Sequence, residues 1–187
     1  MRVLPHLALL DQAFYLPSPN YDSRSKPDHL GLIVIHGISL PPRQFSGDGV
    51  LQLFTNQLNP KADPYYQTIA HLRVSAHLFI RRDGSLIQFV PFDQRAWHAG
   101  VSNYHGQAAC NDFSIGIELE GSDDTPYTAS QYQALAAAIK ALWQAYPQLP
   151  RHAVTGHSDI APGRKTDPGA YFNWQALQRL LQQPLIR

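Results

Sequence analysis

The sequence predicts an α/β protein, a single domain spanning residues 1–187 in which helices flank a mixed central β-sheet. Three observations point there. Short β-branched or alternating apolar runs read as strands. Two of those runs, joined at Asp83-Gly84, read as an antiparallel hairpin. A long 3.6-period run lies between strands, and such a mixture packs best as helices laid on one sheet. The chain has 187 residues, 44% hydrophobic and 16% charged, enough apolar material for a sizeable core and too little charge for disorder.

Each element follows from its residues. Residues 17–29, "PSPNYDSRSKPDH", form a polar, turn-rich lead-in. "HLGLIVIHGIS" is a buried strand ending near Gly37, and "LPPRQFSGDG" is a loop. Residues 76–91 form the hairpin, with Asp83 and Gly84 as its two positive-φ positions. "FSIGIELEG" alternates: Phe113, Ile115, Ile117 and Leu119 share one face, and Ser114, Gly116, Glu118 and Glu120 the other. Thr128 and Gln131 make a capping box for a helix that ends before Pro147. "AVTGH" is a short strand leading into a loop, and "NWQALQRLLQQ" is a final helix capped by Asn173.

The totals also exclude classes of function. A net charge of +1 gives no drive toward nucleic acid or anionic membrane. No apolar run is long enough to span a bilayer. The N-terminal "MRVLPHLALLDQAF" is interrupted by Pro5 and His6, ends at Asp11 and lacks a small-residue cleavage site, so a cytoplasmic location is expected. Cys110 is the only cysteine, which rules out an internal disulfide and fits a reducing compartment.

Nine histidines in this length invite a search for a site. His36 stands at the end of an apolar strand, on the side of the pleat that carries Leu32 and Val34, where a scaffold delivers a side chain. The alternative is a half-buried histidine bonded to a carbonyl. His157 and Asp167 share the loop "TGHSDIAPGRKTDPG". With a distant histidine they can complete a two-imidazole, one-carboxylate zinc pattern, although from spacing alone Asp167 reads better as a turn former before Pro168. Asp159 competes as the carboxylate; two residues from His157, it reads better as a hydrogen-bond acceptor bracing the loop. Lys165 lies on the same side as Asp167 in an extended segment and suits oxyanion stabilisation, or is a solvated charge. Glu118, beside Gly116 on the non-apolar face of its strand, suits a general base, with Glu120 as its structural counterpart. In "RAWHAGVSNYHG", Trp97 offers a platform for a sugar or peptide and His98 lies beside it. His71 and His77, flanking Arg73, read as structural. Nothing near Cys110 activates it as a nucleophile.

Taken together, "IVIHGISLPP", "HLRVSAHLFIRRDGSLIQFVPFDQRAWHAGVS", "CNDFSIGIELEG" and "TGHSDIAPGRKTDPG" resemble the cytoplasmic 1,6-anhydro-N-acetylmuramyl-L-alanine amidase family. That family belongs with the type 2 N-acetylmuramoyl-L-alanine amidases and the peptidoglycan recognition proteins. The resemblance runs from about Pro17 to Trp174, which sets the domain core at about 17–174. It implies a mixed sheet flanked by helices and one Zn2+ per chain on His36, His157 and Asp167. It also implies a catalytic carboxylate at Glu118 and a transition-state lysine at Lys165. Trp97, Arg73 and His98 become candidate substrate contacts, with Arg73 suited to a carboxylate of the stem peptide. The implied substrate is a small-molecule anhydro-muropeptide from cell-wall turnover, cleaved at its lactyl-L-alanine amide. Its removal limits the muropeptide signal that induces β-lactamase. No obligate protein partner, nucleic acid or membrane is implied. The chain departs from the family pattern at Gly37, often Asn, at Ala109, often Arg, and at Ser158, commonly Cys. The rival readings are a zinc-free peptidoglycan-fragment binding module and a periplasmic amidase acting on polymeric peptidoglycan.

Overall fold

The computed structural model describes residues 1–26 and 29–182. In chain order the principal elements are β1 (Phe14–Tyr15), β2 (Leu32–Ile38), α1 (Gly49–Phe54), α2 (Pro64–Ile69), β3 (Leu78–Ile80), β4 (Leu86–Gln88), β5 (Ser114–Glu120), α3 (Ala129–Ala145), β6 (Val154–Gly156), α4 (His157–Ile160) and α5 (Trp174–Gln182). The six strands form one sheet in the order β6-β2-β5-β3-β4-β1. β6, β2, β5 and β3 run parallel to one another, and the antiparallel β3–β4 hairpin makes the sheet mixed. This is the expected fold class. Among the described residues no helix is long and apolar enough to cross a membrane.

Alternation along β2 and β5 builds two layers. Ile33 and Ile35 of β2, with Ile115, Ile117 and Leu119 of β5, pack under Leu135, Ile139 and Leu142 of α3 and Leu177 of α5. α3 begins where expected: Thr128 accepts from Gln131 N–H while Gln131 accepts from Thr128 N–H. Asn173 accepts from Ala176 N–H at the start of α5, and Gln183, assigned to that helix from the sequence, lies outside the described residues. On the opposite face Phe79 and Ile87 pack under Val50, Leu53 and Phe54 of α1 and Tyr66 of α2.

The structure corrects three local expectations. Only Gly84 takes positive φ in the hairpin turn; Asp83 instead accepts from Ser85 N–H at 2.8 Å and braces a longer connection. Phe113 leaves the face of Ile115, because it closes a 3-10 turn over Cys110–Asp112, and it joins Leu32 and Val34 in a separate cluster. The chain after β6 enters one helical turn, α4, before the loop. Helices α1 and α2 went unforeseen. Each is six residues long, too short for periodicity to register, although Asp63 capping Tyr65 N–H ahead of Pro64 is a legible start signal.

Candidate metal centre and active-site cleft

Strand register assembles the site. β5 lies parallel to β2 with Glu118 opposite His36, and β6 pairs Gly156 with Ile35. The next residue, His157, therefore emerges beside His36 at the carboxyl ends of parallel strands, where open α/β sheets place their ligands. Asp159 then tightens α4: its Oδ2 accepts from Gly156 N–H and from Thr155 Oγ1, both at 2.8 Å. Asp159 is thus a brace, as expected. The loop returns so that the Asp167 carbonyl accepts from Ser158 N–H at 2.9 Å, and this brings the Asp167 carboxylate back to His157.

His36 Nδ1, His157 Nδ1 and Asp167 Oδ2 form a triangle with edges of 2.9, 3.2 and 3.1 Å. The edges of a tetrahedral zinc site with roughly 2 Å bonds measure about 3.3 Å. The triangle also needs a cation. His157 Nε2 lies 3.2 Å from the Ala99 carbonyl, which can only accept, so the proton of a neutral ring sits on Nε2 and Nδ1 is bare. Burial, despite the opposing pull of Asp167, lowers His36 to about 4, so His36 is a neutral ring near pH 7. Asp167 is half-buried, which raises its pKa, yet its contacts with the two imidazoles hold it below the usual carboxylate range. Three lone-pair donors at these separations suit a divalent metal.

Glu118 is buried, and its Oε2 has no hydrogen-bond partner among the described residues. Burial first, then the nearby Asp167 charge, raises its pKa well above that of a free carboxyl, while Lys165 opposes the shift. A carboxyl tuned upward and facing a cleft has the properties of a general base. Glu120 contrasts with it, accepting from the N–H groups of Ser46 and Arg82. Lys165 is exposed and lines the same cleft of about 700 Å³ as Glu118, Asp167, His157, Trp97 and His98.

The structure treats the candidate substrate contacts differently. Trp97 lines the cleft, its backbone bridged to Ser75. Arg73 is not in the wall. Its neighbours Leu72 and Val74 line it, while its guanidinium folds over the carbonyls of residues 70–72. His98 lines the cleft, but both of its ring nitrogens already have protein partners, His36 Nε2 at 2.9 Å and Ser114 Oγ at 3.2 Å. His71 is exposed, and His77 is buried with Nδ1 accepting from Gly116 N–H. Cys110 is buried and its thiol pushed up by burial, so it is not activated.

Sequence reasoning missed two supports. Arg164 donates to the carbonyls of Ala99 and Val101, tying the metal loop to the 99–101 segment. Tyr127 donates to the Pro168 carbonyl at 2.9 Å, one residue beyond Asp167. Its ring fills the space that side chains at Gly37 and Gly121 would occupy. The Gly37 departure thus goes with a tyrosine seated on the metal loop. Ala109 does not line the cleft. Neither support carries a local motif; only the fold brings them to the site.

These features define a hydrolase cleft with a two-histidine, one-aspartate centre on a mixed sheet. Residues 27–170 match the model of the N-acetylmuramoyl-L-alanine amidase family, and the chain belongs to that family. It is 55% identical over 168 residues to the 1,6-anhydro-N-acetylmuramyl-L-alanine amidase AmpD of Escherichia coli, covering 90% of this chain and 91% of that one. A crystal structure of an AmpD selenomethionine derivative superposes with a TM-score of 0.92 at 53% identity, over 95% of this chain and 99% of the other. The E. coli amidase AmiD, in complex with anhydro-N-acetylmuramic acid-L-Ala-D-γ-Glu-L-Lys, superposes with a TM-score of 0.60 at 28% identity, over 85% of this chain and 60% of that one.

Proposed function

We propose that this chain is a zinc-dependent amidase that hydrolyses the amide between the lactyl group of 1,6-anhydro-N-acetylmuramic acid and L-alanine. The triangle of His36, His157 and Asp167, with Glu118 in register beside it, carries this reading. The names of the relatives and the ligand of the AmiD complex support the substrate. When bound, zinc supplies Lewis-acid stabilisation of a developing oxyanion and makes water more acidic. Glu118 takes a proton from the water that attacks the lactyl carbonyl. The Lys165 ammonium stabilises the negative charge that develops on the carbonyl oxygen. Glu118 then delivers its proton to the leaving alanine nitrogen, which departs as the free amine. Trp97 offers an apolar face to the sugar or stem peptide.

In the same proposal the chain works in the cytoplasm on soluble turnover products, and so limits a muropeptide signal for β-lactamase induction. The test compares rates on soluble anhydro-muropeptides and on intact sacculi. Preferential cleavage of the soluble substrate is expected. Preferential cleavage of sacculi marks an amidase of polymeric peptidoglycan, and binding without cleavage or zinc marks a recognition module.

A further inference from the structure

His98 presents a question of its own. It borders the cleft, yet its imidazole faces inward and both nitrogens are engaged. The protons in this chain of contacts can be assigned from one end. The carbonyl of Cys110 can only accept, so the Ser114 hydroxyl, 2.5 Å away, donates to it. With its proton so committed, Ser114 Oγ accepts from His98 Nε2–H. A neutral His98 has one N–H, so its Nδ1 is bare and accepts from His36 Nε2–H. His36 Nδ1 is then the bare nitrogen, the one that faces His157 and Asp167.

The surrounding fold holds this arrangement in place. Asn111 Oδ1 accepts from the backbone N–H groups of both His98 and Ala99. Buried Arg24 donates to the carbonyls of Asn111, Asp112 and Ser114, fixing the turn that presents the Cys110 carbonyl. Gly116 leaves the ring its room: a Cβ there would overlap His98 at Cγ, Nδ1 and Cδ2. The room that Gly116 leaves on the Glu118 side of its strand is thus filled by imidazole.

We infer that His98 is a positioning residue: through Ser114 and the Cys110 carbonyl, it fixes the His36 tautomer that offers Nδ1 to a metal. The inference rests on the reading of His36, His157 and Asp167 as metal ligands, and it assigns His98 a role other than substrate contact. Partners that orient ligating histidines in this way typically contribute 10–100-fold to metal affinity.

Long-range proton–nitrogen NMR correlation on the full chain at pH 8, metal-free and zinc-loaded, reads the tautomers directly. The expected result is N–H on Nε2 of both His36 and His98; an Nδ1–H tautomer of His98 overturns the relay whether or not zinc binds. Chelator competition then measures zinc affinity. His98→Ala is expected to lose roughly 10–100-fold. His98→Asn, whose amide oxygen stands where Nδ1 stood, is expected to recover most of that loss. Ser114→Ala keeps the ring and is expected to weaken zinc in the same direction, should His98→Ala fail to fold. Unchanged zinc affinity in His98→Ala or Ser114→Ala, with KM for muropeptide raised, makes His98 a substrate contact and overturns the inference. Absence of zinc binding by the unsubstituted chain fails the metal reading instead, and the metal-free tautomers still decide the relay.

Discussion

Glu118 shows at one residue how function and stability oppose each other. Its buried Oε2 lacks a partner among the described residues, a defect that costs on the order of 1–3 kcal/mol in a folded protein. Glu118→Gln replaces a buried ionisable carboxyl with a neutral amide, and the variant is expected to melt no lower than the parent while hydrolysis falls by two decades or more. A variant that loses both activity and stability makes Glu118 structural. Lys165 is exposed and lines the cleft, so Lys165→Ala is expected to lower kcat by roughly 10²-fold with the fold intact. An unchanged kcat removes it from the oxyanion site. At this scale the sequence was legible where the residue type alone carried the chemistry. Asp159 reads from the sequence as a brace and Glu120 as a structural carboxylate, and each accepts from backbone N–H in the structure. His98 did not sort, because its role depends on a serine sixteen positions on and a carbonyl brought near by a 3-10 turn.

At the scale of elements, the parallel register of β2, β5 and β6 does most of the positioning. Strand identity followed from β-branched runs and alternation, and α3 from its capping box. Which strands would be neighbours did not follow, since pairing is decided by how faces pack across the sheet, not by spacing along the chain. Gly116 shows the consequence. Read along β5 it is only a small residue; read across the sheet it is the seat of a ring. Gly37 is similar, lying where β2 passes under Tyr127. Tyr127→Phe is expected to loosen the Asp167 loop by about 1 kcal/mol through loss of the bond to the Pro168 carbonyl, seen as faster amide exchange in residues 165–169. Unchanged exchange there assigns Tyr127 to the core alone.

For the whole molecule, burial of uncharged histidines under one cleft links stability to pH. Burial lowers His77 to about 3 and His36 to about 4, against about 6.5 in an unfolded chain. Above pH 6.5 neither state takes up a proton at these rings, and their contribution is constant. Between pH 6.5 and about 4 the unfolded chain binds protons that the native chain refuses, so each ring lowers stability by roughly 1.4 kcal/mol per pH unit. Calorimetry of the metal-free protein at pH 5 in buffers of different ionisation enthalpy is expected to show proton uptake on unfolding. No uptake contradicts the assignment of neutral rings.

The fold brings residues 36, 157 and 167 into one triangle from two strands' ends and a loop. Whether that triangle holds a metal is the central question. Zinc content, measured on the purified chain and on Asp167→Ala, answers it most directly. The account predicts about one zinc per chain in the parent, on one three-ligand site, and little in the variant. Equal zinc in both, or none in the parent, contradicts it.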